Sequence, residues 1–295
     1  MTFVRVVVVC LAVALARGAS ADPLLITTST NAATLAATLA GPGIAIVGGS
    51  ELLIGASAQQ GTFTGGTGIL PFDSGILLTT ANALLAPGPN TSESAGDVSG
   101  SGANAALTAI SGFPTFDQNV LSFDFIPTSN VISFQFVFAS EEYHEFVNTE
   151  FNDVFAFFLN GTNIALVPGT LSPITINTIN CGSNSDFYAA NSGTSPCFNP
   201  LQAVNTQYDG LAGGLFVLPL FATGPVNANV SNTMELAIAD AGDARLDSAV
   251  FLKAGSFVPT PPPTTVPEPA SITLLGVGLV GIVARRYGRR NVRGR

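Results

Sequence analysis

Leu121-Ser122-Phe123-Asp124-Phe125 and, beyond Pro127-Thr128-Ser129-Asn130, Ile132-Ser133-Phe134-Gln135-Phe136-Val137-Phe138 are the residues whose reading decides the fold. Apolar and polar residues switch at almost every position, a period of two that belongs to strands with one face on a core. The Pro-Thr-Ser-Asn step between them predicts a hairpin. Val154–Leu159 is apolar on both faces, as expected of a strand inside a sandwich. Asn160-Gly161 should then turn it into a partner strand at 164–167, because a tight hairpin turn needs φ > 0 at both positions. Further strands are expected at 44–54, 69–79, 173–179, 214–222, 232–239 and 248–254. Short helices are expected at 31–39, stopped by Gly41-Pro42, and at 103–110, stopped by Gly112.

Many short strands separated by Gly, Pro, Asn and Thr indicate an all-β fold, an antiparallel two-sheet β-sandwich, jelly-roll-like, with one or two short helices. Residues 22–258 would form it as one domain. No repeat of a solenoid or propeller is visible along the chain.

Charge is scarce and unevenly placed. Charged residues make up 10% of the 295, against about 25% in ordinary soluble domains. Of the ten Lys and Arg, eight lie in the first 21 or the last eleven residues; between 22 and 266 stand 18 acids and only Arg245 and Lys253. Such a body repels phosphate backbones, which excludes nucleic acid as a partner. One His and no Trp weigh against a His-based metal site, a Ser-His-Asp triad and a Trp platform for sugars.

Both ends read as addresses. Arg5, the apolar run 6–16 and Ala19-Ser20-Ala21 have the form of a secretory signal, cleaved by signal peptidase between Ala21 and Asp22. At the other end a Pro-rich linker spans 259–266. Val266-Pro267-Glu268-Pro269-Ala270-Ser271 follows, then the uncharged apolar run 270–284 and the cluster Arg285, Arg286, Arg289, Arg290, Arg293, Arg295. As a helix that run reaches about 22 Å, short of the ~30 Å hydrocarbon core unless its flanks help. The arginines would stay on the cytoplasmic side, leaving the acidic body outside. Residues 267–295 closely resemble the PEP-CTERM sorting signal of exported bacterial proteins. The resemblance implies a separate C-terminal membrane helix held transiently in the inner membrane, processing by an exosortase near Pro267-Glu268-Pro269, and delivery to the cell surface or extracellular matrix. Gly276-Val277-Gly278-Leu279-Val280-Gly281 matches a dinucleotide fingerprint, but no strand, helix and distant acid surround it, and we reject it.

With Cys10 removed in the signal, Cys181 and Cys197 remain as an even pair in an oxidising compartment and read as a disulfide. Two acidic clusters stand out. The first holds Glu141 and Glu142, delivered by a strand to a sheet edge, with Asp153 opening the next strand. The second holds Asp240, Asp243 and Asp247 in a Gly-containing turn beside Arg245. Carboxylates without bases repel one another unless protonated or bound to a cation, and hard oxygen ligands suit Ca²⁺. Each cluster therefore has three readings: solvated acidic turns, a Ca²⁺ site, or catalytic acids.

Phe138-Ala139-Ser140-Glu141-Glu142-Tyr143-His144-Glu145-Phe146-Val147-Asn148 and Phe151-Asn152-Asp153-Val154-Phe155-Ala156-Phe157-Phe158-Leu159 resemble the signature of the choice-of-anchor L domain. So do Asp73–Leu78 and Ala237–Phe251, and the likeness spans roughly 24–257. That family comprises bacterial surface or secreted domains carried by varied C-terminal anchors; the resemblance implies location and architecture, not activity. His144 departs from the family's Pro, which bears on the rigidity of that turn.

Together these readings point to an exported, non-catalytic structural or adhesive sandwich, Ca²⁺-stabilised, with extracellular polysaccharide as a partner. The alternative is a carbohydrate-binding or carbohydrate-active protein using Glu141, Glu142 and Asp153. Acids converging on one point would favour Ca²⁺, and an aromatic cleft beside paired carboxylates would favour the carbohydrate reading. Ice binding needs a regular Thr face, and the Thr-rich stretch 27–34 is too short for one. The sequons at Asn90, Asn160 and Asn229 read as chance matches in an Asn/Thr-rich chain.

Overall fold

The computed structural model describes residues 23–259. The signal, most of the Pro-rich linker, the PEP tripeptide and the apolar run 270–284 lie outside the described residues. Within them no helix is long and apolar enough to cross a membrane.

The strands are β1 (Leu25–Thr28), β2 (Ile44–Ile46), β3 (Leu52–Ile54), β4 (Gln60–Thr64), β5 (Gly75–Thr79), β6 (Thr115–Pro127), β7 (Val131–Ser140) and β8 (Val154–Leu159). They continue as β9 (Thr162–Asn163), β10 (Ile174–Thr175), β11 (Tyr188–Ala190), β12 (Gly210–Ala212), β13 (Leu220–Pro225), β14 (Asn232–Ala241) and β15 (Ser248–Lys253). The first sheet runs β1-β4-β5-β15-β7-β12-β11, with β13 also on β7; the second runs β10-β8-β14-β6-β2, with β3 on β6 and β9 on β8. All pairings are antiparallel. The expected two-sheet, mostly β architecture is what forms.

Helix α1 (Ala32–Leu39) starts where the Asn31 side chain accepts the Thr34 N–H, and it buries Leu35, Ala36 and Leu39. Helix α2 (Ala105–Ser111) is capped by Asn104, which accepts from Ala106 and Leu107, and ends at Gly112 with φ +82°. Both stand where the cap and stop signals place them.

The expected hairpin at 121–138 does not form. Strands β6 and β7 belong to different sheets, so residues 128–130 carry the chain across the sandwich. A hairpin would have put both Phe rows on one face of one sheet. Crossing over lets Phe123 and Phe125 of one sheet meet Phe134, Phe136 and Phe138 of the other in one buried core. Phe257 lies among them, stacked on Phe134 at 4.1 Å and edge-on to Phe125 at 4.6 Å. The first sheet has apolar cover on its other face too, where Val137, Ala139, Leu77 and Phe251 meet Phe63, Phe72 and Tyr208.

Other expectations change in detail. Asn160 (φ +48°) and Gly161 (φ +82°) make the expected turn, but the returning strand is Thr162–Asn163, not 164–167. Residues 44–54 split into β2 and β3 around Gly48-Gly49. Only 75–79 of the 69–79 stretch is strand, and 173–179 shortens to β10. The 214–222 expectation shifts to β13, because Gly213 and Gly214 break the chain before it. The disulfide joins Cys181 to Cys197, as expected, with Cα atoms 5.9 Å apart.

Candidate functional site

The acids gather at one end of the sandwich for reasons of register. In the first sheet Ser140 of β7 lies opposite Gly210 of β12 on one side and Ser248 of β15 on the other. The neighbouring residues on these three strands are Glu141, Asp209 and Asp247. Adjacent strands are about 4.8 Å apart, so three acids stand side by side. In the second sheet Ala239 pairs with Val154 and Asp240 with Phe116. Asp153 and Asp240 are therefore neighbours, and a bulge in β6 turns Asp117 (φ +50°) beside them. The two sequence clusters meet: Asp153 Oδ2 accepts the Ser248 hydroxyl at 2.7 Å, its Oδ1 accepts the Ala241 N–H at 2.9 Å, and Glu141 N–H donates to the Asp247 carbonyl at 3.1 Å.

This overturns two expectations. Glu141 and Glu142 follow a central strand, not an edge, and the acids are not solvated turns. Glu141, Glu142, Asp153, Asp240 and Asp247 are each no more than 1% exposed. Only Asp243 is half-buried, with Arg245 exposed beside it. Arg245 does not neutralise an acid: among the described residues it makes no ion pair, and its backbone N–H donates to Asp243 Oδ1. His144 lies 3.6 Å from Glu145. Asp117 and Asp209 belong to the same end and were not singled out by the sequence reading.

A segment without strand or helix, 88–104, straps this end. Asn90 Nδ2 donates to Asp209 Oδ1 at 2.6 Å, Asp97 N–H to Asp247 Oδ1 at 2.9 Å, and the Ser99 and Gly100 N–H groups to the two oxygens of Asp117. Other oxygens find no partner: both of Glu141, both of Asp240, one each of Glu142, Asp209 and Asp247, and the buried Tyr208 hydroxyl.

Buried carboxylates prefer the neutral form, and neighbouring acids push the same way. Burial, with Asp209 and Asp247 nearby, raises Glu141 to about 9. Burial, with Asp153, Asp243 and Glu145 nearby, raises Glu142 to about 10. Burial lifts Asp153, Asp209 and Asp247 to about 7 each, and burial with Asp153 beside it lifts Asp240 well above its usual range. Among the described residues no three His, Cys, Asp or Glu side chains converge as a ready-made metal cage.

Outside the rows, a cavity of about 540 Å³ opens between the strap and the two turns. Glu142, Asp243, Arg245, Phe146 and Phe151 line it, the two rings edge to face at 5.2 Å. Paired carboxylates beside aromatics thus occur here, with Glu142 and Asp243 as the pair; Glu141 and Asp153 do not line it.

A family model described as Choice-of-anchor L domain matches residues 27–258, and one described as PEP-CTERM protein-sorting motif matches residues 265–290. No curated protein and no solved structure matches the chain. The chain therefore belongs to the choice-of-anchor L domain family, as an exported, surface-sorted protein whose PEP-CTERM motif implies an exosortase-type processing enzyme.

Proposed function

We propose that the exported body works at the cell surface or in the extracellular matrix as a non-catalytic, structural or adhesive sandwich that holds extracellular polysaccharide. One observation carries this reading: Asp117, Asp153, Asp209 and Asp247 accept the main-chain, amide and hydroxyl donors that lock the strap and the turns. Acid catalysis on a glycoside needs one protonated acid and one free carboxylate facing each other across a cleft. Here six acids rise together under burial, which suits holding a fold more than dividing two chemical roles. In this reading signal peptidase cuts after Ala21 and the exosortase acts near Pro267-Glu268-Pro269, with the apolar run 270–284 in the inner membrane until then. The test compares matrix attachment of cells making the full chain with cells making the signal and tail alone. Attachment should require the body; equal attachment would remove the adhesive role.

A second reading is favoured by the unpartnered oxygens of Glu141, Glu142, Asp240 and Asp247. In it Ca²⁺ neutralises the acid-rich end through pairs of carboxylates, with neutral oxygens completing each shell. Thermal unfolding in EDTA and then in millimolar Ca²⁺ tests it. A cation bound only by the folded body adds about 2.7 kcal/mol at a hundredfold excess over Kd. That gain should vanish in Asp153→Ala and Asp243→Ala, and no shift would leave the acid-rich end metal-free.

A further inference from the structure

The strap and the turns account for the buried rows but not for the cavity between them. Its floor is Glu142, buried and with one carboxyl oxygen unpartnered. One wall is the edge-to-face pair Phe146 and Phe151, both only half-buried. The opposite rim is the turn after β14, which presents Asp243 and Arg245 and is closed by Leu246 at φ +61°. A branched apolar residue rarely adopts that conformation. Such outliers gather where a turn is held for a purpose beyond folding, and this one sets the rim of the cavity.

We infer that this cavity is a subsite for an amino sugar, one hexosamine ring of a polysaccharide laid on Phe146 and Phe151 with its ammonium group toward Glu142 and Asp243. The site rests on the adhesive reading above and names its ligand class. Size, surface and charge support it independently. About 540 Å³ lies in the range of pockets that take small ligands and is wide for a single alkylammonium side chain. A sugar ring has an apolar C–H face to set against the Phe rings and hydroxyls for the polar rim, while an ammonium is drawn to the aromatic faces. Asp97 and Asp243 line the cavity against Arg245 alone, and Glu142, held neutral by burial, offers the ammonium an unpartnered oxygen as acceptor. The body's 18 acids against two bases attract a cationic polymer and repel a uronate one. A metal ion fits less well, since no three acids converge among the described residues.

The apolar clusters of the described residues all lie between Leu24 and Phe257, so the body 22–258 serves for the experiment. A glucosamine hexamer, its fully N-acetylated form, a uronate hexamer and a lysine hexapeptide are titrated calorimetrically. The glucosamine hexamer should bind and the uronate hexamer should not. Asp243→Asn keeps the oxygen that accepts the Arg245 N–H, so the turn survives. It should weaken binding about tenfold, the loss of one charge contact worth about 1.4 kcal/mol. Arg245→Glu, at an exposed position, should tighten it. Equal binding of the N-acetylated form would overturn the ammonium contact, and equal binding of the lysine peptide would overturn the sugar assignment. No binding of any probe, with matrix attachment by the body intact, would overturn the site and leave the adhesive reading standing. Loss of attachment as well would remove both.

Discussion

The middle of the sandwich and its acid-rich end are built on opposite physics from the same strands. In the middle, Phe134 stacks on Phe157 at 5.3 Å and on Phe257 at 4.1 Å, and every partner gains by exclusion of water. At the end, in the last residues of the same strands or one or two beyond them, carboxylates are excluded from water with few bases and too few donors. The middle needs only apolar volume of the right shape. The end needs a particular proton count, a particular strap and, in the second reading, a cation. The contrast teaches that one fold carries a region indifferent to solution conditions and a region governed by them.

The largest test of that contrast is Phe134→Ala, which empties a fully buried stack and should cost about 4 kcal/mol in urea unfolding. The cost should be the same in acid and in base; a pH-dependent loss would break the division. Next is Asp153→Ala. At about pH 5 it leaves the Ala241 N–H and the Ser248 hydroxyl buried without an acceptor, for about 2 kcal/mol. At about pH 9 the loss should shrink, because removing Asp153 also relieves Asp240 and Glu142.

The wild-type pH profile sharpens the same point. Glu141, Glu142, Asp153, Asp209, Asp240 and Asp247 are raised on folding, so the folded state binds more protons than the unfolded one above the ordinary carboxylate range, near pH 4. Their contribution is full below that range. It is lost as pH rises through about 7 for Asp153, Asp209 and Asp247 and through about 9 and 10 for Glu141 and Glu142. The urea midpoint should therefore fall from about pH 5 to about pH 9, and a flat profile would mean that the acids are already neutralised. The smallest effect is Asn104→Ala, which uncaps α2 where the strap ends without removing an acid and should cost about 1 kcal/mol at every pH.

How far the sequence carries the reader differs between the two regions. Alternation in Leu121–Phe125 and Ile132–Phe138 identifies strands because burial of one face repeats every second residue. It is silent about partners, so an arch between sheets reads the same as a hairpin within one. The helices were legible to a residue or two because caps such as Asn31 and Asn104 act locally. Glu141, Glu142, Asp153, Asp240 and Asp247 were legible as chemistry but not as buried groups, since their burial comes from strands distant in the chain meeting in register. Asp209 hides in Tyr208-Asp209-Gly210, which reads as a turn. Asp117 hides where a bulge interrupts the period of β6.

Phe257 has a mechanical meaning. It is the last aromatic residue before the proline-rich tail and it is fully buried between the sheets. Its backbone bonds to Leu39 and Gly41, and Val258 exchanges two hydrogen bonds with Ser133. A pull arriving through the tail meets this plug first. Behind the plug it meets β15, an interior strand gripped by β5 and β7 along both edges, which must be sheared rather than peeled. The body is thus tethered by its innermost strand, and resistance to force depends on how slowly that plug is drawn.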